Sequence, residues 1–112
     1  MPVHKIRRNL SPQAFELRAA LVAEWRSPRA DKSAEPVIYE VDPGADEPLW
    51  LYVVWSRWKD VSPTDRSDVI LDAFEEIRGK EELVRIAAAI GLTPAEARAE
   101  GIAKMLGRDD EP

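Results

Sequence analysis

Apolar residues recur along this chain with two different periods. Over the first third they return at helical intervals: Ala14, Leu17, Leu21 and Trp25 fall on one stripe, with Phe15 and Val22 flanking it. A period near 3.6 predicts an amphipathic helix. Ser11-Pro12 opens it, because serine accepts a bond from a free helix N–H and proline suits the first helical position. Pro28 closes it, since the residue before a proline disfavours the helical conformation. Val37 to Asp42 alternates instead and is rich in β-branched and aromatic residues, so it predicts a strand. A Pro- and Gly-containing loop follows, and Leu49 to Trp58 predicts a second, longer strand; together they read as a hairpin.

Three further helices are expected. Ser62-Pro63-Thr64-Asp65 supplies a cap, an initial proline and an acid in the first turn; Val69, Ile70, Ala73, Phe74 and Ile77 form the stripe, and Gly79 ends it. Lys80 to Ile90 predicts a short helix with Leu83, Ile86, Ala87 and Ile90 inward, stopped by Gly91. Thr93-Pro94-Ala95-Glu96 is a second capping sequence, and Ile102, Met105 and Leu106 lie on the last helix. The expected fold class is therefore α+β: a small domain with an antiparallel β-hairpin packed by helices, in the order α-β-β-α-α-α. Residues 1–112 suit a single domain, with 1–10 and 107–112 expected as flexible ends and 27–36 as a polar connector.

The second strand carries the most information. Leu49, Leu51, Val53 and Trp55 point to one side, and Trp50, Tyr52, Val54 and Trp58 to the other. A hairpin covered by helices on one side needs only one apolar face, and here both are apolar. In the first strand Val37, Tyr39 and Val41 are apolar, while Ile38, Glu40 and Asp42 make a half-polar side that is expected near solvent, with aromatics of the second strand forming a patch on it. The register is not readable from sequence, so either set of the second strand can form that patch. Trp50, Tyr52, Val54 and Trp58 are the interface candidates, for a protein partner or for a second copy in a homodimer.

Charge narrows the classes of function. The net charge of −5 divides unevenly: residues 1–34 carry a balance of +4 and residues 35–112 one of −9. Phosphate neutralisation supplies most non-specific nucleic-acid affinity, so the acidic body argues against such a partner. The candidates for that alternative are Lys5, Arg7, Arg8, Arg26, Arg29 and Lys32. There is no Cys, hence no disulfide framework, thiolate metal site or thiol nucleophile. The opening residues lack the apolar run of a signal peptide, and no stretch approaches a transmembrane length. A cytoplasmic protein with no membrane association is expected.

Catalytic chemistry is not legible. His4 is the only histidine and has no evident base or metal partner. Asp65, Asp68, Asp72, Glu75 and Glu76 share one helix, and side chains from one straight helix do not converge on a cation; a solvated polar face accounts for them. No phosphate-cradling glycine loop or nucleophile motif occurs. We expect no enzyme, no cofactor and no bound metal.

Two resemblances bear on the fold. The run Leu51-Tyr52-Val53-Val54-Trp55-Ser56-Arg57-Trp58-Lys59-Asp60-Val61-Ser62, leading to Arg66, resembles the heart of the BolA-like family, in which a strand ends in Ser, then an aromatic, a short turn and a helix beginning near an Arg-His pair. The match spans residues 51–74, with Ser56, Trp58 and Arg66 near the family's positions. It implies an αββα core related to the class II KH fold, and a regulatory role often shared with monothiol glutaredoxins and iron–sulfur clusters. The histidine of the pair is Ser67 here, and the helix from Pro94 stands where the family has its last strand. Residues Ile86 to Arg98 also resemble a helix-turn-helix, with Ala87 at the crossing and Gly91 in the turn. Its second helix offers Glu96 and Glu100 beside only Arg98 and Lys104, a poor face for a phosphate-lined groove. The expectation is a non-enzymatic regulatory or adaptor-type domain acting through protein–protein interaction. The alternative is a nucleic-acid-binding regulator using the basic N-terminal third or the C-terminal helix pair.

Overall fold

A computed structural model of the chain describes residues 11–28, 35–41, 44 and 47–101. The expected flexible ends, 1–10 and 107–112, lie outside the described residues, as does most of the 27–36 connector. The last two residues of that connector are held in place. Pro36 is buried behind a cis Glu35–Pro36 peptide bond, and the Glu35 carboxylate accepts bonds from Ser56 N at 3.0 Å and Ser56 Oγ at 2.7 Å.

Helix α1, Pro12–Arg26, begins where Ser11 Oγ accepts the Ala14 N–H at 3.1 Å. It buries Ala14, Leu17, Leu21 and Val22, while Phe15 turns outward. Strands β1, Val37–Val41, and β2, Leu49–Val54, pair antiparallel as the predicted hairpin. The second strand is shorter than expected. After Trp55 the chain enters a 3-10 turn, Ser56–Trp58, that swings the Trp58 ring into the core.

Helix α2, Pro63–Arg78, has the predicted limits: Ser62 Oγ caps Asp65 N at 3.1 Å, and Gly79 leaves with a φ of 88°. Its buried Val69, Ile70, Ala73 and Phe74 join the α1 stripe and Leu49, Leu51, Val53 and Trp55 in one core. Arg18 and Arg26 of α1 meet Glu76 of α2 at 3.1 and 3.3 Å. Two acids expected on a solvated face, Asp72 and Glu76, thus lie against α1, with Asp72 at 4.0 Å from Arg18.

The α+β class and the hairpin stand, but one element departs from the expected order. The helix α3 is a single turn, Lys80–Leu83, and Ile86–Leu92 is a strand, β3. It lies parallel to β2 in a three-stranded sheet of order β1-β2-β3. The order is therefore α-β-β-α-α-β-α, closed by α4, Pro94–Glu100. Helix propensity is a weak preference of under about 1 kcal/mol per residue and yields to tertiary context. Here pairing satisfies the free backbone groups of β2, with Leu49 N donating to Arg85 O at 2.9 Å and Trp55 N to Leu92 O at 2.8 Å. Because 86–92 is a strand, residues 86–98 are no helix-turn-helix.

Candidate interaction surface

The strand register sorts the sheet into two faces, and the sorting differs from the expectation. On the first face Ile38 pairs with Val53 and Gly91, and Glu40 with Leu51 and Ala89; this face meets α1 and α2. The half-polar side of β1 thus faces the helices. Glu40 is accommodated there because its carboxylate accepts the Trp25 indole N–H at 2.9 Å and Arg78 at 2.7 Å. Arg78 lies over the Phe74 ring, 5.4 Å from its centroid, and Trp25 meets that ring edge-on at 5.7 Å. An ion pair with aromatic neighbours ties the ends of both helices to β1.

The second face is apolar throughout. Val37, Val54 and Leu92 form one row, Tyr39, Tyr52 and Ile90 the next, and Val41, Trp50 and Ala88 the third. Every buried apolar residue of the described helices belongs to the core on the first face, and α3 and α4 bury none. Tyr52, at the centre of the second face, is 5% exposed and lies outside that core cluster. Trp50 keeps 40% of its surface in solvent and stacks on Tyr52, with centroids 6.5 Å apart and planes 17° from parallel.

No family model, curated protein or solved structure matches the chain.

Three of the four interface candidates, Trp50, Tyr52 and Val54, therefore share the second face. Trp58 does not: it sits beyond the strand, fully buried, with its indole N–H donating to Val53 O at 3.1 Å and its ring edge-on to Trp55 at 5.2 Å. The alternation that placed it with Trp50 fails once the backbone turns at Ser56. Tyr39 belongs to the alternating run of β1. Ile90, Leu92 and Ala88 were hidden, since an Ala-rich run has no alternation to reveal a strand.

Two of the residues that carried the family resemblance, Trp58 and Arg66, form a buried knot. Arg66 sends Nε to Val61 O at 2.8 Å, one terminal nitrogen to Trp58 O at 2.8 Å, and the other to Gly91 O at 3.0 Å and Glu96 Oε1 at 2.6 Å. One planar fork thus joins the turn after β2, strand β3 and the start of α4, as five fixed donors allow. Ser67 Oγ donates to Ala89 O at 2.6 Å. Gly91 is required at its place, because a Cβ there would lie 2.9 Å from Trp58 and Arg66 atoms. The hydrogen bond from Arg66, and then that from Thr93 N–H, hold the Glu96 carboxyl below the ordinary value of 4.5.

Of the nucleic-acid candidates, Lys5, Arg7, Arg8, Arg29 and Lys32 lie outside the described residues, as do His4 and Lys104. Arg26 is spent on Glu76. Among the described residues no three His, Asp or Glu side chains come together as a cation site, and no helix is long and apolar enough to cross a membrane.

Proposed function

We propose that this domain acts by binding protein through the second face of its sheet, as a non-enzymatic adaptor or regulatory module of the cytoplasm. The observation that supports it is that Trp50 keeps 40% of its surface in solvent on a face whose nine paired positions are all apolar, the other eight being buried or partly covered. Soluble proteins rarely leave a large contiguous apolar patch in water. Trp50 has the properties of an interface anchor: a large ring, half in solvent, held rigid by stacking. The BolA-like reading remains a proposal about fold. It is supported by the succession α1, β1, β2, α2, which supplies the αββα core, and by β3, a further strand ahead of the helix from Pro94. At the position of the family's histidine, Ser67 is bonded to the chain's own backbone, so we propose no cluster-binding role.

The test compares the intact chain with Trp50→Ser. Light scattering reads self-association, and affinity capture from native lysate reads partners kept by the intact chain and lost by the variant. A monomer whose captured proteins are the same for both forms would remove the proposal.

A further inference from the structure

Helix α4 is attached to the domain differently from α1 and α2. It buries no side chain, and Pro94, Glu96 and Ala97 are only partly covered. A helix of 7 residues is far below the roughly 12–15 at which isolated helices become even marginal in water. Its order therefore rests on polar contacts, and two of them meet on one atom. Glu96 Oε1 accepts the Thr93 N–H at 2.9 Å, which closes the capping box, and Arg66 at 2.6 Å, which ties the helix to α2. Thr93 Oγ1 completes the box by accepting the Glu96 N–H at 3.2 Å. The conformation of Glu96 that caps the helix is thus the one that docks it, and each bond presets the other.

What α4 would leave behind is satisfied without it. Arg66 keeps Val61 O, Trp58 O and Gly91 O as acceptors. Glu96 is 44% exposed, so water reaches the place that its carboxylate would vacate and can accept the remaining bond. On the chain side Leu92 is pinned, because its carbonyl accepts the Trp55 N–H at 2.8 Å. A pivot therefore falls between Leu92 and Thr93. We infer that residues Thr93 to Gly101 are a latched element: they open about this pivot as one cooperative unit, with Glu96 on Arg66 as the latch, while the sheet, α1 and α2 stay folded.

Native-state amide exchange of the intact chain, followed by NMR near neutral pH and corrected for intrinsic rates, tests this. Ala97 and Gly101, whose N–H groups bond Thr93 O and Arg98 O, should share one protection factor. It should lie at least about 100-fold below that of Trp55, whose N–H marks the fixed side of the pivot. Glu96→Ala removes box and latch together and should lower the protection of Ala97 and Gly101 by one common factor of about ten, leaving Trp55 unchanged. Glu96→Gln can still cap but carries no charge. Raising salt from about 0.05 to 1 M screens an exposed ion pair, so it should lower both α4 amides equally in the natural chain and leave them unchanged in Glu96→Gln. Protection that is graded along α4, with Gly101 indifferent to Glu96→Ala, would mean fraying and overturns the cooperative unit. Trp55 exchanging together with Ala97 and Gly101 overturns the pivot. The same salt response in both forms overturns the latch.

Discussion

On the odd-numbered side of β2, Leu49, Leu51 and Val53 lie sealed beneath two helices, while on the even-numbered side Trp50 stands half in solvent above Tyr52. The two sets are about equally apolar. What separates them is the partner each strand neighbour supplies: β1 brings Glu40 to the first side and Tyr39 to the second, and β3 brings Ala89 and Gly91 to the first and Ile90 and Leu92 to the second. The first face has small residues where helix side chains must come close, and a carboxylate where Arg78 can answer it. The second has bulk at every position except Ala88. Hydrophobicity alone therefore does not mark a core, whereas residue size read across a register does.

The contrast is sharpest in substitutions that remove an aromatic from each side. Trp58→Ala should cost about 3–5 kcal/mol, as for other buried large-to-small changes, because its ring is fully buried against Trp55 and Gly91. Urea unfolding followed by circular dichroism measures it; a loss near that of an exposed site would mean that the first face is no core. Gly91→Ala comes next, at about 1–3 kcal/mol, the usual cost of an overpacked methyl, since both of its close neighbours are themselves held by hydrogen bonds. Restoration of stability by pairing Gly91→Ala with Trp58→Phe would locate the clash in the indole. Trp50→Ser should cost less than Trp58→Ala, about 1–3 kcal/mol, since its ring is only partly buried and its stacking on Tyr52 adds to that burial. A larger loss would make the second face a part of the core.

A smaller effect is expected at Glu96. Its folded-state carboxyl titrates below the ordinary value, so its stabilising contribution is present above about pH 4.5 and is lost as pH falls through the lower folded value. The side chain is 44% exposed, and solvent screening keeps the contribution small. The protection of the α4 amides, taken as the intrinsic exchange rate at each pH divided by the observed one, should fall on acidification in the natural chain, and Glu96→Gln should abolish that fall. Identical profiles for the two forms would contradict this account.

Much of this fold was legible from local signals. Ser11, Ser62 and Thr93 each cap the helix that their sequence announced, and Gly79 ends α2 with the positive φ that glycine tolerates. The hairpin followed from alternation. What was not legible depended on contacts distant in sequence. Residues 86–92 carry no alternation and become a strand because β2 offers them a ladder. Trp58 leaves its strand because Ser56 is tied to Glu35, a residue far upstream. The candidate surface was half visible for the same reason: Trp50, Tyr52 and Val54 came from β2 itself, while Ile90 and Leu92 needed β3.

Arg66 and Ser67 also bear on how the sheet ends. β3 is an outermost strand of seven residues with neither charge nor proline, the kind of strand that invites a second chain to add on. Its Leu92 carbonyl points inward to Trp55 N, so by alternation those of Ala89 and Gly91 point outward. These are the two carbonyls that Ser67 and Arg66 occupy. An incoming strand finds these acceptors already taken, by side chains that α2 holds in place. The residues that fasten the helix to the sheet thus also engage two acceptors along its outer margin.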